Sequence, residues 1–200
     1  LGLDCAVVKG ITCCFLMEAC WVAGMKTEMI YTGQTGWMQG YRHGFIFDAT
    51  LNDFVCGEVE RVLVECDHVS KPDLMLIEGQ SSLQNPSGPC GSEFLLAGQT
   101  KGVILQHVPF REFYDDTKVP LRPIESEIEL IRFYGAEVLA VTLNGEGHSA
   151  EELRRAGNQL HQQLNLPVVL PLEEGVDSLI PIVRKFMGKT NATNSSKPSR

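Results

Sequence analysis

The sequence lacks an excess of positive charge, a long apolar run and a signal-peptide pattern. Its 17 Lys and Arg residues are outnumbered by 25 Asp and Glu residues, which gives a formal net charge of -8 at pH 7. Nucleic acids and membrane surfaces are bound through basic faces, so we expect neither as a partner. No run of 18 apolar residues is present, and we expect a cytoplasmic protein.

Paired cysteines are also missing. The seven cysteines are an odd number, and no two of them form a CxxC motif. A zinc site or a disulfide framework is therefore not expected. The sequence instead predicts reduced, buried thiols, at positions 5, 13, 14, 20, 56, 66 and 90.

What the sequence does contain is an alternation of apolar, strand-like stretches with helix-like segments. The predicted strands are residues 29–32, 44–49, 73–79, 102–107, 137–144 and 167–171, and the predicted helices are residues 10–25, 52–64, 124–134, 151–164 and 176–187. Repeated strand–helix–strand units predict a parallel α/β sheet with helices on both faces, a three-layer sandwich. One domain is expected over residues 1–187, and the polar residues 188–200 are expected to be disordered.

The opening residues GLDCAVVKG (2–10) have the outline of a phosphate-binding loop. Gly2, Lys9 and a helix that begins near Gly10 supply close backbone approach, positive charge and helix N–H groups. Val8 replaces the second glycine, and Gly10 replaces the hydroxyl residue that holds magnesium, so Thr12 is the nearest hydroxyl. On spacing alone, a turn before a core helix explains the segment better.

A phosphate loop normally connects a strand to its helix. Only Leu1 precedes Gly2, so we expect the sheet to lack its first strand. Because that strand is central in such sheets, the chain expressed alone is expected to be poorly stable.

Two further segments place polar side chains after predicted strands. In IEGQSS (77–82), Glu78 is a candidate metal ligand or general base, and the glycine and serines behind it suggest a second anion-binding nest. A Glu that caps a turn is an equally good explanation of this motif alone. TGQTG (32–36) fits either a loop pressed against a ligand or an ordinary turn.

The next two strands are also followed by polar residues. Arg111, just beyond His107 in HVPFRE, could clamp a carboxylate or phosphate, or form a surface salt bridge. Asn144 could bond an adenine edge, or simply occupy a turn. Because the carboxyl ends of parallel strands share one edge, His107 and Asn144 are expected to converge on one ligand site with Lys9, Gln34 and Glu78.

These segments together resemble a known family. GLDCAVVKG resembles a G-T-D-C-x-x-G-K loop, IEGQSSLQNPSG resembles an E-G-Q-G-S-L-x-H-P segment, and TGQTG, DATLNDFVCGEVE, VTLN and LNLPVVLPLEEGVDSLI are similar to further family motifs. The family is that of the D-glutamate N-acetyltransferase-like proteins, long described as a domain of unknown function. The resemblance covers residues 1–187 and implies a P-loop NTPase-like domain, preceded in family members by a Rossmann-like domain. More distantly, the loop resembles that of dethiobiotin synthetases.

The motifs and the resemblance together imply roles for individual residues. Lys9 would contact phosphates and Asn144 adenine, because coenzyme A is a phosphorylated adenosine. The candidate catalytic bases are Glu78 and His107; cofactor binding is predicted for Gly2, Asp4, Cys5, Lys9, Thr12 and Asn144; substrate binding is predicted for Thr32, Gln34, Thr35, Gln80, Ser82 and Arg111; and the candidate metal ligands are Glu78 and Thr12.

Three functions are compatible with this pattern. The first is an acetyl-CoA-dependent N-acetyltransferase of an acidic D-amino acid such as D-glutamate, a small-molecule enzyme that could form a homo-oligomer. The second is an ATP- and Mg²⁺-dependent ligase or kinase resembling dethiobiotin synthetase, and the third is a binding module without turnover. The departures from the family loop at Leu3, Val8 and Gly10 count most against tight triphosphate binding.

Overall fold

The computed structural model describes residues 1–5, 7 and 9–195 and has the parallel α/β architecture that the sequence predicts. Its elements, in chain order, are α1 (Lys9–Val22), β1 (Thr27–Tyr31), α2 (Gln34–Met38), β2 (His43–Gly44), a 3-10 turn (Phe47–Ala49), α3 (Asn52–Ser70), β3 (Leu74–Ile77), α4 (Ser92–Leu96), β4 (Gly102–His107), α5 (Ile124–Phe133), β5 (Glu137–Leu143), α6 (Ala150–Leu164), β6 (Val168–Val169), α7 (Pro171–Glu174), a second 3-10 turn (Asp177–Leu179) and α8 (Ile180–Ser195).

The strands form two parallel three-stranded sheets, ordered β2-β1-β3 and β4-β5-β6. Residues 1–3 lie between them: Leu3 N donates to Gln106 O (3.0 Å), and Gln106 N donates to Leu1 O (2.9 Å). On the other side, a Cβ added to Gly79, which follows β3, would lie 2.8 Å from Leu1 Cα. Residues 1–3 therefore join the carboxyl ends of β3 and β4, the position expected for the end of the first strand.

Helices cover both faces of the sheets. On one face, Leu16 of α1 and Val183 of α8 pack with Ala140 of β5. On the other face, Leu153 of α6 packs in a cluster with Leu105 of β4. Side chains on these strands thus alternate between two apolar layers, as in a sheet buried on both faces.

The second strand is the one whose length the sequence analysis overestimated most. Residues 44–49, predicted as a strand, contribute only β2 and the first 3-10 turn. Gly44 has φ +154°, and a Cβ there would lie 2.2 Å from Tyr31 O, so only glycine lets the two backbones approach at this point. The helices α2, α4 and α7 were not predicted, because elements of four or five residues are too short to show helical periodicity.

The C-terminal helix is longer than the sequence predicted. α8 runs to Ser195, so residues 188–195 have helical backbone where disorder was predicted. Extending an established helix forms one hydrogen bond for each residue that is fixed, whereas starting a helix fixes three residues for its first bond, so a polar segment can continue a helix that it would not start. Residues 196–200 of the expected tail lie outside the described part of the chain.

Two further expectations concern membranes and thiols. None of the helices in the described part of the chain is long and apolar enough to cross a membrane. All seven cysteines lie among the described residues, and none of them forms a disulfide. Cys20, Cys66 and Cys90 are buried as predicted, but Cys56 is exposed because it lies on the outer side of α3.

Candidate functional site

Lys9 begins α1 and folds back over the loop that precedes it. Its Nζ donates to Asp4 O at 2.6 Å, and a Cβ added to Gly2 would lie 2.8 Å from Lys9 Cδ. Glycine at position 2 therefore leaves the space that the lysine side chain crosses. Burial lowers the pKa of Lys9 from 10.5 to about 8, so an anion placed beside the amine would stabilise its charged form. Val8, the position of the replaced glycine, lies outside the described residues.

Glu78 follows β3 and lies against the first turn of α1. Its Oε2 accepts a hydrogen bond from Thr32 N at 3.1 Å, and its side chain is buried. A Cβ added to Gly10 would lie 2.6 Å from Glu78 Oε1. The Glu78 carboxylate thus occupies the space where a phosphate loop carries its magnesium-binding Ser or Thr. Burial raises the pKa of Glu78, although the Thr32 N–H and the Lys9 charge oppose that rise.

A Gly10→Ala substitution tests this contact. The added methyl group would displace the flexible Glu78 carboxylate rather than the backbone, and alanine is favoured over glycine inside a helix by about 1 kcal/mol. We expect the melting temperature to stay the same or rise, while ligand binding or turnover falls at least about tenfold (~1.4 kcal/mol). Gly57→Ala in α3, where a Cβ meets no atom within 4 Å, is the matched control and should change neither binding nor turnover. Unchanged binding in Gly10→Ala would contradict a role for the displaced carboxylate.

Thr32 and Gln80 connect the carboxyl ends of β1 and β3. Thr32 Oγ1 donates to Glu78 O at 2.9 Å, and Gln80 Nε2 donates to Thr32 Oγ1, also at 2.9 Å. These two predicted substrate-binding residues therefore lie beside Glu78. Gln34 and Thr35 are on the exposed first turn of α2. They follow the same strand end, and their predicted contact with substrate stays a prediction.

Asp4 is a fully buried hydrogen-bond acceptor that joins three loops. Its Oδ1 accepts from Cys5 N and Asn85 Nδ2, each at 2.7 Å. Its Oδ2 accepts from Arg111 at 2.8 Å and from Asp115 N at 2.6 Å. The carboxylate is therefore saturated by protein donors, and it fixes the shape of the loop before Lys9.

Arg111 is held within the protein on both sides of its guanidinium. Besides Asp4, it donates to Cys5 O at 3.0 Å and forms an ion pair with Glu146. The side chain is only 14% exposed. The alternatives left open by the sequence were an anion clamp and a surface salt bridge, and the structure contains a mostly buried ion pair. Clamping a substrate would require Arg111 to release Glu146.

The loop after Glu78 contacts the loop before Lys9 through Ser81, a residue that the sequence analysis did not single out. Cys5 Sγ donates to Ser81 Oγ at 3.2 Å, and Asn85 Nδ2 lies 3.5 Å from the same sulfur. Ser82, the predicted substrate-binding serine, is buried, and its Oγ has no hydrogen-bond partner among the described residues. The adjacent Ser81 and Ser82 indicated a polar loop. The sequence did not show that Ser81 would bond Cys5 while Ser82 would be buried.

His107 lies on the other face of the sheet from Glu78. Val103, Leu105 and His107 are every second residue of β4 and therefore face the same layer. Val103 and Leu105 belong to the apolar cluster on the α5 face. Burial lowers the pKa of His107 from 6.5 to about 4, with only the Glu125 charge opposing it. Nearby, Asn144 N donates to His107 O at 2.9 Å. The two candidate bases therefore do not share one side of the sheet.

The partly buried His107, whose Nδ1 is buried with no hydrogen-bond partner among the described residues, predicts a pH dependence of stability. Its pKa is lower in the folded chain, about 4, than in the unfolded chain, 6.5, so the unfolded state binds more protons between these values. Stability should then rise with pH from about 4 to 6.5, by roughly 3 kcal/mol from this group alone. His107→Gln, which cannot titrate, should flatten that part of the curve in urea unfolding experiments. Parallel curves for the two proteins would show that folding does not lower the pKa of His107.

Thr12, the expected source of a metal-binding hydroxyl, is engaged elsewhere. Its Oγ1 donates to Gln106 Oε1 at 2.9 Å, and Thr142 Oγ1 donates to the same oxygen at 2.6 Å. Thr12, Gln106 and Thr142 thus form a buried hydrogen-bonded group beneath the loop that precedes α1. Residues 1–5, 7 and 9–195 contain no group of three or more His, Cys, Asp or Glu side chains arranged to hold a metal ion. Joint metal binding by Glu78 and Thr12 stays a prediction.

The fold and the site together define a class of protein. A parallel α/β sheet carries a lysine-bearing loop before a helix, and a carboxylate from a nearby strand end faces the first turn of that helix. This arrangement is that of a P-loop domain with an altered magnesium position.

Comparison with known proteins identifies the family. Residues 1–180 match the family model described as "Domain of unknown function (DUF1611_C) P-loop domain", and the chain belongs to that family. A crystal structure of a DUF1611 family protein from Anabaena variabilis superposes with a TM-score of 0.85 at 25% identity, over 92% of this chain and 56% of that one.

Two curated relatives carry a functional name. Proteins named D-glutamate N-acetyltransferase, from a Pseudoalteromonas species and from Tritonibacter scottomollicae, are 28% and 27% identical to this chain. Each match covers 90% of this chain and 55% of the relative. The chain therefore spans about half the length of the curated relatives it matches.

Proposed function

We propose that this chain is the nucleotide-binding domain of an N-acetyltransferase that acylates an acidic D-amino acid, of the D-glutamate type, with acetyl-CoA. The observation that carries the proposal is the position of Glu78, a buried carboxylate with a raised pKa, against the helix turn that begins with Lys9. The names of the two relatives support this reaction. Because the relatives are longer, the complete reaction is proposed for the whole protein rather than for this domain alone.

The residues of the loop fit a phosphorylated acyl donor. Lys9 is largely buried at the start of α1, where helix N–H groups and the dipole favour an anion. Its ammonium uses one hydrogen bond on Asp4 O, which leaves two further N–H groups for a phosphate oxygen. Lys9 would therefore hold a phosphate group of coenzyme A, and the bound donor would supply an activated acetyl thioester.

Glu78 would act on the acceptor amine. Acyl transfer requires the amine nitrogen to bond to the acyl carbon, to lose a proton and to displace the thiolate with the C–S electron pair. A carboxylate with a raised pKa is a better proton acceptor than an ordinary one, and Glu78 is the carboxylate in this position. The Thr32 N–H orients it, and Gln80, whose Nε2 donates to Thr32 Oγ1, has a second amide N–H for an acidic substrate.

The contact between Gly10 and Glu78 disfavours the ligase or kinase alternative. Magnesium–triphosphate loops place a Ser or Thr hydroxyl directly after the lysine. Here that position has no side chain, and the Glu78 carboxylate fills the space.

An acetylation assay tests the proposal. The chain, alone and together with any residues that its gene encodes upstream, is incubated with acetyl-CoA and either D- or L-glutamate, and products are separated by mass spectrometry. We expect N-acetyl-D-glutamate and free coenzyme A in equal amounts, a preference for the D-enantiomer, and loss of product in Lys9→Met. Turnover that depends on ATP and Mg²⁺ with no acetylated product would contradict the proposal.

A further inference from the structure

A buried carboxylate interrupts the apolar face of α5. The other residues buried on that face are Ile124, Ile128 and Ile131, and all three belong to the apolar cluster that α5 shares with β4 and β5. Glu127 lies among them and is only 2% exposed. Burying a carboxylate is unfavourable, and an apolar side chain at this position would simply extend the cluster. Packing within the core therefore does not explain Glu127.

Both carboxylate oxygens of Glu127 are bonded to the segment that follows β3. Oε1 accepts from Leu83 N at 2.8 Å, and Oε2 accepts from Gln84 Nε2 at 2.9 Å. Neither donor carries a charge, so these bonds fix the position of the segment without neutralising the carboxylate. Burial raises the pKa of Glu127, and the two bonds, followed by the charges of the Leu1 amine and of Lys9, oppose that rise.

The bonded segment, residues 80–85, has no regular secondary structure of its own. It lies between β3 and α4, so its conformation depends on contacts with other parts of the chain. One of its hydroxyls, Ser82 Oγ, is buried and has no hydrogen-bond partner within the described part of the chain. A buried polar group without a partner disfavours the conformation that contains it, so other contacts must compensate. Glu127 supplies two such contacts in the middle of the segment.

The two ends of segment 80–85 lie in the candidate site. Gln80 Nε2 donates to Thr32 Oγ1 at 2.9 Å, and Asn85 Nδ2 donates to Asp4 Oδ1 at 2.7 Å. Each end is no more than three residues from a donor that bonds Glu127. A shift of the middle of the segment would therefore move both ends within the site.

We propose that Glu127 is a positioning residue for acetylation, which holds segment 80–85 where Gln80 can bond the acidic acceptor and does not itself touch substrate. The inference rests on the proposed function, in which Gln80 offers an amide N–H to that acceptor. The acyl donor depends on Glu127 less, because Asp4 keeps its bonds from Arg111 and from Asp115 N if Asn85 moves. Loss of Glu127 should therefore affect the rate and the KM for the acceptor more than the affinity for acetyl-CoA.

Three variants separate positioning from charge and from stability. Glu127→Leu keeps an apolar helix face and removes both bonds to the segment. Glu127→Gln can keep both bonds, because its oxygen accepts from Leu83 N and the Gln84 amide can turn over to accept from the new Nε2. Ile131→Val removes one buried methyl group from the same helix and leaves the segment's bonds intact. All are assayed well below their melting temperatures.

We expect Glu127→Leu to lower kcat/KM for D-glutamate at least about tenfold, since a misplacement of about 1 Å can cost about a hundredfold in rate. The affinity for acetyl-CoA should stay within about threefold of the original chain, and Glu127→Gln and Ile131→Val should keep kcat/KM within the same range. Recovery in the Gln variant is expected because position, rather than charge, is what Glu127 supplies.

A second measurement does not require turnover. The side-chain amide resonances of Gln80 and Asn85, neither of which bonds Glu127, should shift or broaden in Glu127→Leu and stay unchanged in Ile131→Val. Gln84→Ala removes one of the two bonds at a half-buried position, so it should fold even if Glu127→Leu does not, and it should show a smaller change of the same kind. If the original chain forms no acetylated product, the proposed function fails while these resonances still test Glu127.

Three results would overturn the inference. Equal kcat/KM in Glu127→Leu and Ile131→Val would show that Glu127 contributes only to stability. Unchanged Gln80 and Asn85 resonances in both Glu127→Leu and Gln84→Ala would show that the two bonds do not position the segment. Equal losses of kcat/KM in Glu127→Gln and Glu127→Leu would show that the reaction depends on the charge of Glu127 rather than on the position it fixes.

Discussion

Replacing Glu78 with Gln is expected to lower the rate of D-glutamate acetylation by about 10²- to 10⁴-fold, the usual contribution of a general base. The amide oxygen can still accept the hydrogen bond from Thr32 N, so the loop should keep its conformation and bind acetyl-CoA as before. The loss should therefore fall on kcat rather than on the affinity for the donor. Steady-state kinetics with both substrates varied measure this division.

The pH profile makes the assignment of Glu78 specific. Because burial raises the pKa of Glu78, the acid limb of the rate profile should lie above the 4.5 of an ordinary glutamate, and Glu78→Gln should remove that limb. Glu28→Gln, in β1 and outside the site, is the control and should leave rate and profile unchanged. A Glu78→Gln enzyme that retains more than about a tenth of the rate would show that another group takes the proton.

Replacing Asp4 with Asn is expected to reduce the free energy of unfolding by about 3–5 kcal/mol, because the mostly buried Arg111 loses its fully buried partner and keeps only the partly exposed Glu146. Each carboxylate oxygen of Asp4 accepts from two donors, so the new amide nitrogen must also face two of the four, one of them a backbone N–H group. For a chain of this size the loss corresponds to a melting temperature lower by roughly 10 °C. Urea and thermal unfolding measure it.

The control for this prediction removes the other partner of Arg111. Glu146 is 31% exposed, so water can compensate for its loss, and Glu146→Gln should cost no more than about 1 kcal/mol. Equal losses in the two variants would show that Asp4 is not the buried centre of the network. A loss below about 1 kcal/mol in Asp4→Asn would contradict the account of this loop.

Apolar runs and the residues that follow them were readable from the sequence. The strand at residues 102–107 was predicted with the bounds that β4 has in the structure, since a buried parallel strand is a continuous apolar stretch. The position of Glu78 directly after β3 follows from the same pattern. The layer that each side chain faces depends on how the strands are arranged in the sheet. This arrangement places Glu78 and His107 on opposite faces, although both lie at the carboxyl ends of strands.

Contacts between distant loops could not be predicted. Arg111 and Asp4 are separated by 107 residues, and nothing in HVPFRE indicates that its arginine bonds a carboxylate near residue 1. Likewise, the sequence shows only that Gly10 replaces a hydroxyl residue. In the structure, Gly10 leaves space for the side chain of Glu78, 68 residues later in the chain. A single sequence shows local periodicity. Contacts such as Asp4–Arg111 and Gly10–Glu78 form only because the fold brings the ends of different strands together.

The central claim is that the loop before α1 and Glu78 form an acyl-CoA site rather than a magnesium–triphosphate site. Isothermal titration of the chain with acetyl-CoA and with ATP, each with and without Mg²⁺, tests it most directly. We predict that acetyl-CoA binds independently of Mg²⁺ and more tightly than ATP, and that Lys9→Met weakens it at least about tenfold (~1.4 kcal/mol). Tighter binding of ATP in the presence of Mg²⁺, or binding of neither ligand, would contradict the claim.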